Sequence, residues 1–99
     1  MIRGTTPILE FDIPFETNLL EEAFITFSQD DNIIIDKKLS DCTLEERKII
    51  LKLSQEETLK LSCDSACQIQ IRTRTLDGTS SASDIIKDRV YPILKDGVI

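Results

Sequence analysis

Residues 69–76 constrain the fold more than any other part of the chain, because isoleucine or threonine alternates there with glutamine or arginine. A period of two places Ile69 and Ile71, followed by two threonines, on one face of a strand, and the arginines on the other face. The next two residues, Asp77 and Gly78, favour the positive φ angles of a tight hairpin turn. The run therefore predicts a hairpin in a sheet with one buried face and one solvated face.

Two other runs, residues 6–13 and 48–53, alternate in the same way, with apolar side chains at the odd-numbered positions. The predicted inward-facing side chains are Leu9, Phe11, Ile13, Ile49, Leu51 and Leu53. Pro7 and Pro14 bracket the first run, and a proline cannot donate to a central ladder. The first strand is therefore expected to end at these prolines or to lie at a sheet edge.

A second hairpin is predicted around the turn cluster at residues 29–32. Residues 23–28 before the cluster are rich in aromatic and β-branched side chains, which favour strands, and residues 33–39 after it begin with three isoleucines. Residues 40–46 predict either a short edge strand or a loop. Residues 83–90 predict the last strand, although their alternation is poor.

Helical structure is confined to short connections. Residues 18–22 predict one helical turn or a bend, and Ser54 with Glu57 fits a capping box at the start of a brief helix. Six or seven short strands with one small helical crossover are typical of an all-β, immunoglobulin-like β-sandwich of antiparallel strands. The chain lacks tryptophan and a cysteine pair placed to bridge two sheets, so only this broad architecture is predicted, with a small barrel as the alternative.

The composition bounds the size and class of the protein. A chain of 99 residues forms one domain, residues 1–99, and no stretch approaches the length of an apolar membrane span. The N-terminus does not resemble a secretory signal, so synthesis in the cytoplasm is expected. Seven acidic side chains against one basic side chain, Arg3, place the whole net charge of −6 in residues 1–32. Such a surface disfavours nucleic acid as a partner and suits a solvated face.

No motif in the chain predicts catalysis, a cofactor or a metal. Histidine is absent, and the three glycines lie far apart, which excludes imidazole chemistry and a phosphate-cradling loop. Neighbouring carboxylates fall in predicted turns or strand ends, where water solvates them. Cys42, Cys63 and Cys67 are an odd number, which indicates free thiols, and a zinc site would need a fourth ligand. The sequence therefore predicts a protein that is not an enzyme.

Several segments taken together go beyond the fold class. They are the opening Met1-Ile2-Arg3-Gly4-Thr5-Thr6-Pro7, Leu53-Ser54-Gln55-Glu56-Glu57-Thr58-Leu59, Gln68-Ile69-Gln70-Ile71-Arg72 with Asp77-Gly78, Ala82-Ser83-Asp84-Ile85-Ile86, and the ending Ile93-Leu94-Lys95-Asp96-Gly97-Val98-Ile99. With them, nearly the whole chain resembles small proteins encoded in bacteriophages and prophages of Gram-positive bacteria. The second half is also similar, more loosely, to the immunoglobulin-like N-terminal domain of phage baseplate upper proteins.

This resemblance implies a structural or assembly component of a virion, in the tail or baseplate rather than the head. Its expected partners are other phage structural proteins or further copies of itself in a symmetric assembly. The resemblance supplies no characterised site residues to carry over, and the residues themselves predict no cofactor, no membrane and no small-molecule substrate. The alternative function is a free cytoplasmic phage-encoded inhibitor or adaptor that binds a host protein through an exposed sheet.

An apolar tail, residues 91–99, follows the last predicted strand. Its four aliphatic side chains, the predicted partner contacts, are Ile93, Leu94, Val98 and Ile99. They either pack back on their own domain or insert into a neighbour as an added strand. A third function, carbohydrate binding, needs exposed aromatic platforms, for which Phe15 is the only loose candidate and a cap on the core is the preferred interpretation.

Overall fold

A computed structural model describes residues 1–99 and contains eight β-strands, one α-helix and two 3-10 turns. The strands are β1 (Ile8–Asp12), β2 (Leu20–Gln29), β3 (Asn32–Lys38), β4 (Thr43–Glu45), β5 (Lys48–Lys52), β6 (Cys67–Thr75), β7 (Ser80–Ala82) and β8 (Ile86–Asp88). The helix is α1 (Gln55–Leu59), and the 3-10 turns are Thr17–Leu19 and Leu39–Asp41. None of these helical segments has the length and apolar character that crossing a membrane requires.

The strands form two antiparallel sheets, which confirms the predicted all-β sandwich. One sheet has the order β1-β5-β4, and the other has the order β3-β2-β6-β7, with β8 also paired to β6. In an immunoglobulin constant domain the second strand lies beside the first and fifth strands. Here β2 lies between β3 and β6 instead. The longest strands, β2 and β6, are therefore neighbours in the larger sheet.

The core lies between the two sheets and follows the predicted alternation. Ile49, Leu51 and Leu53 are completely buried, and they face Ile25 and Phe27 of the larger sheet in one hydrophobic cluster. In β6 the inward-facing isoleucines are buried, whereas both arginines are exposed. The partly buried side chains of Leu9, Phe11 and Phe15 pack against the same cluster.

The β2–β3 hairpin differs in detail from its prediction. β2 extends beyond its predicted bounds at both ends, β3 is shifted by one residue towards the turn, and only Asp30 and Asp31, both at positive φ, form the turn. Three consecutive isoleucines at 33–35 cannot alternate, and a bulge accommodates the extra residue where Phe27 pairs with Ile35 and Ser28 pairs with Ile33.

The last predicted strand, residues 83–90, is wrong in its bounds. The structure has two short strands instead, and both pair with β6: β7 with residues 72–74 and β8 with residues 67–69. Ser83 lies in the gap between them, where its N–H donates to the Ile71 carbonyl and its hydroxyl accepts from the Ile71 N–H. A side chain thus replaces a backbone acceptor, which explains the poor alternation and raises the strand count to eight.

The start of α1 and the loop between β6 and β7 both follow the turn and cap residues of the local sequence. The capping box forms as predicted: the Ser54 hydroxyl accepts from the Glu57 N–H at 3.1 Å, and the Glu57 carboxylate accepts from the Ser54 N–H at 2.9 Å. The loop between β6 and β7 spans residues 76–79 rather than two residues, and Gly78 is its only member with positive φ. The predicted hairpin is therefore confirmed with a longer turn.

Candidate interaction surface

The predicted contact residues occupy a segment, residues 93–99, that leaves the sandwich after β8. Leu94 is fully exposed, Ile99 is 88% exposed, and Val98 is also exposed. Ile93 is the exception, since it is partly buried. We call residues 93–99 the C-terminal segment. It combines one residue that packs on the domain with three aliphatic side chains that do not.

Arg3 fixes this segment to the rest of the domain. Its Nη1 donates to the Asp96 carboxylate at 2.7 Å, while Nη2 and Nε donate to the carbonyls of Leu59 and Leu61. Those carbonyls lie at and just beyond the end of α1, where helical carbonyls lack intrahelical partners. One planar guanidinium therefore satisfies the helix end and holds the C-terminal segment at once. The hydrogen bond from Arg3 also lowers the pKa of Asp96 below its usual value.

Gly4 allows the C-terminal segment to approach closely. Its φ is +78°, and a Cβ at this position would lie 2.7 Å from Cδ1 of Ile93 and 3.2 Å from Cδ2 of Leu59. The positive φ favours glycine here whatever the space, and a Cβ would in addition force the end of the Ile93 side chain to move.

Gln55 holds the far end of the segment. Its side-chain oxygen accepts from the Ile99 N–H at 2.8 Å, and its side-chain nitrogen donates to the Ile99 carbonyl oxygen at 3.3 Å. Together with Arg3, this pair fixes the segment at two points on the same side of the domain, next to α1. Leu94 precedes both fixed points and projects into solvent.

The first residues of the chain lie alongside the exit of the C-terminal segment. Ile2 and Tyr91 form a parallel bridge, with backbone hydrogen bonds from Arg3 to Tyr91 and from Tyr91 to Met1. The Met1 amino group lies 3.1 Å from the Asp88 carboxylate. These contacts place Arg3 and Gly4 where they meet the C-terminal segment.

A second feature is an open cleft between the two sheets, at the opposite end of the sandwich. It has a volume of about 300 Å³ and lies where the free edges of β1 and β7 face each other. Its lining is largely apolar and includes Ile13, Pro14, Phe15 and Ile71, with Ser81 on the β7 side. We call this feature the inter-sheet cleft.

A third feature is the outer face of the larger sheet. Phe24 is 42% exposed there, and its direct cross-strand neighbours are Lys38 on β3 and Arg72 on β6. Phe15, the aromatic residue singled out from the sequence, instead packs partly buried against the core. The exposed aromatic side chain of this face is therefore Phe24, which lies between two cations.

The cysteines are dispersed and free. Cys67 is completely buried, Cys42 is partly buried and Cys63 is exposed. Burial raises the pKa of the Cys67 thiol to about 11, and it also raises the pKa of Cys42. The structure contains no cluster of three acidic, cysteine or histidine side chains that could hold a metal ion.

Sequence reasoning did not identify Arg3, which holds the C-terminal segment, or Phe24, which is exposed on the outer face of the larger sheet. Arg3 was noted only as a charge, because its partners lie 56 to 93 residues away along the chain. Phe24 could have been found from parity, because Ala23, Ile25 and Phe27 define the inward face of β2 and leave Phe24 outside. No protein-family model, curated protein or solved structure matches this chain.

Proposed function

We propose that this protein is a non-enzymatic structural or assembly component of a bacteriophage particle, of its tail or baseplate, which acts through the C-terminal segment. One observation carries the proposal: Leu94 and Ile99 are displayed to solvent on a segment that Arg3 and Gln55 hold in place. The phage setting rests on the resemblance of the sequence. Virion location and other phage structural proteins as partners are parts of the same proposal.

Exposed aliphatic side chains on an anchored segment favour binding for two physical reasons. Burying a leucine or isoleucine side chain contributes about 1.5–3 kcal/mol relative to leaving it in water. A segment already fixed at two points loses less conformational entropy on binding than a free chain end does. Scattered single aliphatic residues are normal on surfaces, but here Leu94, Val98 and Ile99 share one segment.

Mass spectrometry of purified particles tests this proposal. Particles are prepared from the phage, or induced prophage, that encodes the protein, carrying either the natural chain or the double variant L94S/I99S. Both changes lie at exposed side chains, so the variant is expected to unfold at the same temperature as the natural chain. Leu76→Ser is the matched control. Leu76 is 66% exposed in the β6–β7 loop, and its backbone N–H donates to Leu19 rather than to the C-terminal segment.

We expect the natural chain and L76S in the particles at a fixed stoichiometry, and L94S/I99S to be absent or at least tenfold depleted. Absence of the natural chain from purified particles would contradict the structural role. Equal incorporation of L94S/I99S would contradict the role of the C-terminal segment.

The alternative, a free inhibitor or adaptor of a host protein, has one specific observation in its favour. Phe24 lies exposed between Lys38 and Arg72 on an open sheet face, an arrangement suited to an acidic partner surface with an apolar contact. Under this alternative the protein is absent from particles and captures one defined host protein, and Phe24→Ser abolishes that capture while L94S/I99S does not.

A further inference from the structure

The inter-sheet cleft and the C-terminal segment cannot meet within one copy of the chain. The cleft lies beside Ile71 and β7, which pairs with the second half of β6. The C-terminal segment starts after β8, which pairs with the first half of β6, and it is fixed next to α1. The two features therefore lie towards opposite ends of a molecule whose longest dimension is 47 Å.

The two features complement each other in shape and polarity. The cleft is open and largely apolar, and its volume of about 300 Å³ suits one or two side chains rather than a whole strand. Leu94 is a fully exposed aliphatic side chain that the anchors at Asp96 and Ile99 keep away from its own core.

The charges beside these two features are also complementary. Lys95 follows Leu94 directly, and Asp12 lies on the rim of the cleft. Neither side chain takes part in an ion pair within the domain, whereas six other pairs form along the chain. Seating Leu94 in the cleft brings a free ammonium group next to a free carboxylate, which favours the correct orientation.

We infer that the occupant of the inter-sheet cleft is a second copy of this chain, whose Leu94 inserts between the sheets while its Lys95 pairs with Asp12. The inference rests on the proposed function, because it identifies the partner of the C-terminal segment. Such a contact joins two different surfaces, so every copy keeps one free segment and one free cleft. The contact therefore repeats head to tail and builds a ring or a filament.

A contact made by one leucine side chain and one ion pair is weak in isolation, because stable interfaces bury more than about 1,000 Å² in total. Its measurement needs sedimentation of the pure protein at concentrations up to about 1 mM. The segment-side variant is L94S. The cleft-side variant is Ser81→Trp, which fills the cleft because Ser81 pairs with Thr73 on the inward side of the edge strand. Ser80→Trp is its matched control, since the neighbouring residue points to the outer face.

We expect the average mass of the natural chain and of S80W to rise with concentration beyond that of a dimer. L94S and S81W each lower the association constant at least tenfold. Mixed in equal amounts, the two variants recover one contact, from the intact segment of S81W to the intact cleft of L94S, and the complex stops at a dimer. Asp12→Asn, a change at an exposed side chain, weakens association in the same way and replaces S81W if that variant does not fold.

Three outcomes overturn the inference: a natural chain that remains monomeric, a cleft variant that associates like the natural chain, or a mixture in which no dimer appears. None of them contradicts the proposed function, which fails only on incorporation into particles. If L94S/I99S is lost from particles while S81W is incorporated normally, the C-terminal segment binds a different virion protein, and only the inference about the cleft is wrong.

Discussion

Single residues fix the conformation of the C-terminal segment, and Gly4 is the clearest case. Gly4→Ala places a residue with a Cβ at φ +78° and directs that Cβ at Ile93. Gly78→Ala is the matched control, because Gly78 has a φ of +87° and open space around it. We expect G4A to lower the free energy of unfolding by about 1 kcal/mol more than G78A does, measured by urea denaturation.

The double variant G4A/I93A isolates the origin of that difference. Removing most of the Ile93 side chain also removes the clash, so the two changes together should cost less than the sum of the single changes. Strict additivity would show that Gly4 and Ile93 do not interact and that the C-terminal segment lies elsewhere.

The three thiols differ in reactivity because they differ in exposure, and because burial raises the pKa of Cys42 and Cys67. Only Cys63 is exposed, whereas burial raises the pKa of Cys67 to about 11, which leaves little thiolate at pH 7. We expect a thiol reagent at pH 7 to label Cys63 quickly, Cys42 slowly, and Cys67 only after unfolding. Cys63→Ser should remove the fast phase alone. A fast phase that persists in C63S would place another cysteine at the surface.

At the scale of elements, a buried glutamine joins β2 to the loop before β6. The Gln29 side-chain nitrogen donates to the carbonyls of Ser62 and Ser65, and its oxygen accepts from the Ser62 N–H. Gln29→Leu leaves these backbone groups without partners, so we expect a loss of about 2–4 kcal/mol in the free energy of unfolding. The matched control is Gln68→Leu, whose side chain makes no hydrogen bond within the protein and should change stability by less than about 0.5 kcal/mol.

An ion pair joins the larger sheet to α1 and makes stability depend on pH. Lys37 on β3 lies 2.6 Å from the Glu57 carboxylate, and both side chains are only about one-fifth exposed. For Glu57, burial acts to raise the pKa, but the hydrogen bonds from Lys37 and Ser54 outweigh it and the pKa is lowered. The hydrogen bond to Glu57 raises the pKa of Lys37.

The lowered pKa of Glu57 and the raised pKa of Lys37 set the pH range in which the ion pair stabilises the fold. The lowered pKa of Glu57 makes its contribution complete above the unfolded value of about 4.3 and removes it as the pH falls further. The raised pKa of Lys37 makes its contribution complete below about 10.4 and removes it as the pH rises further. Glu57→Gln keeps a cap acceptor but loses the charge. We expect it to cost about 1 kcal/mol between these limits and less outside them, measured by thermal unfolding across pH. A cost that stays constant below pH 4 would contradict the role of this pair.

Some strands of this sandwich can be predicted from the sequence, and others cannot. Strands with a strict period, such as β5 with Ile49, Leu51 and Leu53, are predictable because alternation reports burial directly. Gln29, the last residue of β2, is predicted in a turn because polar side chains are seldom buried in strands. It lies two residues after Phe27, however, so the alternation of β2 turns it inward. The split into β7 and β8 was unpredictable because Ser83 replaces backbone pairing through its hydroxyl, a contact without periodicity.

In the whole molecule, the predicted sandwich is confirmed. The contacts that join the beginning of the chain to its C-terminal segment, in contrast, link residues distant in sequence. Arg3 joins the beginning of the chain to residues 59, 61 and 96, and no local pattern encodes that choice. The same contacts leave Leu94 outside the core. The sequence left open whether the tail packs on its own domain or faces a partner, and the structure divides it: Ile93 packs on the domain, while Leu94, Val98 and Ile99 remain exposed.

Deleting residues 93–99 tests most directly whether the C-terminal segment is a contact surface on an already complete sandwich. We expect the shortened chain to keep a β-sheet circular-dichroism spectrum and a cooperative thermal transition, to remain monomeric up to about 1 mM, and to be absent from particles. A shortened chain that is unfolded at room temperature would show that the segment belongs to the core. Association or incorporation equal to that of the intact chain would show that the contacts lie elsewhere.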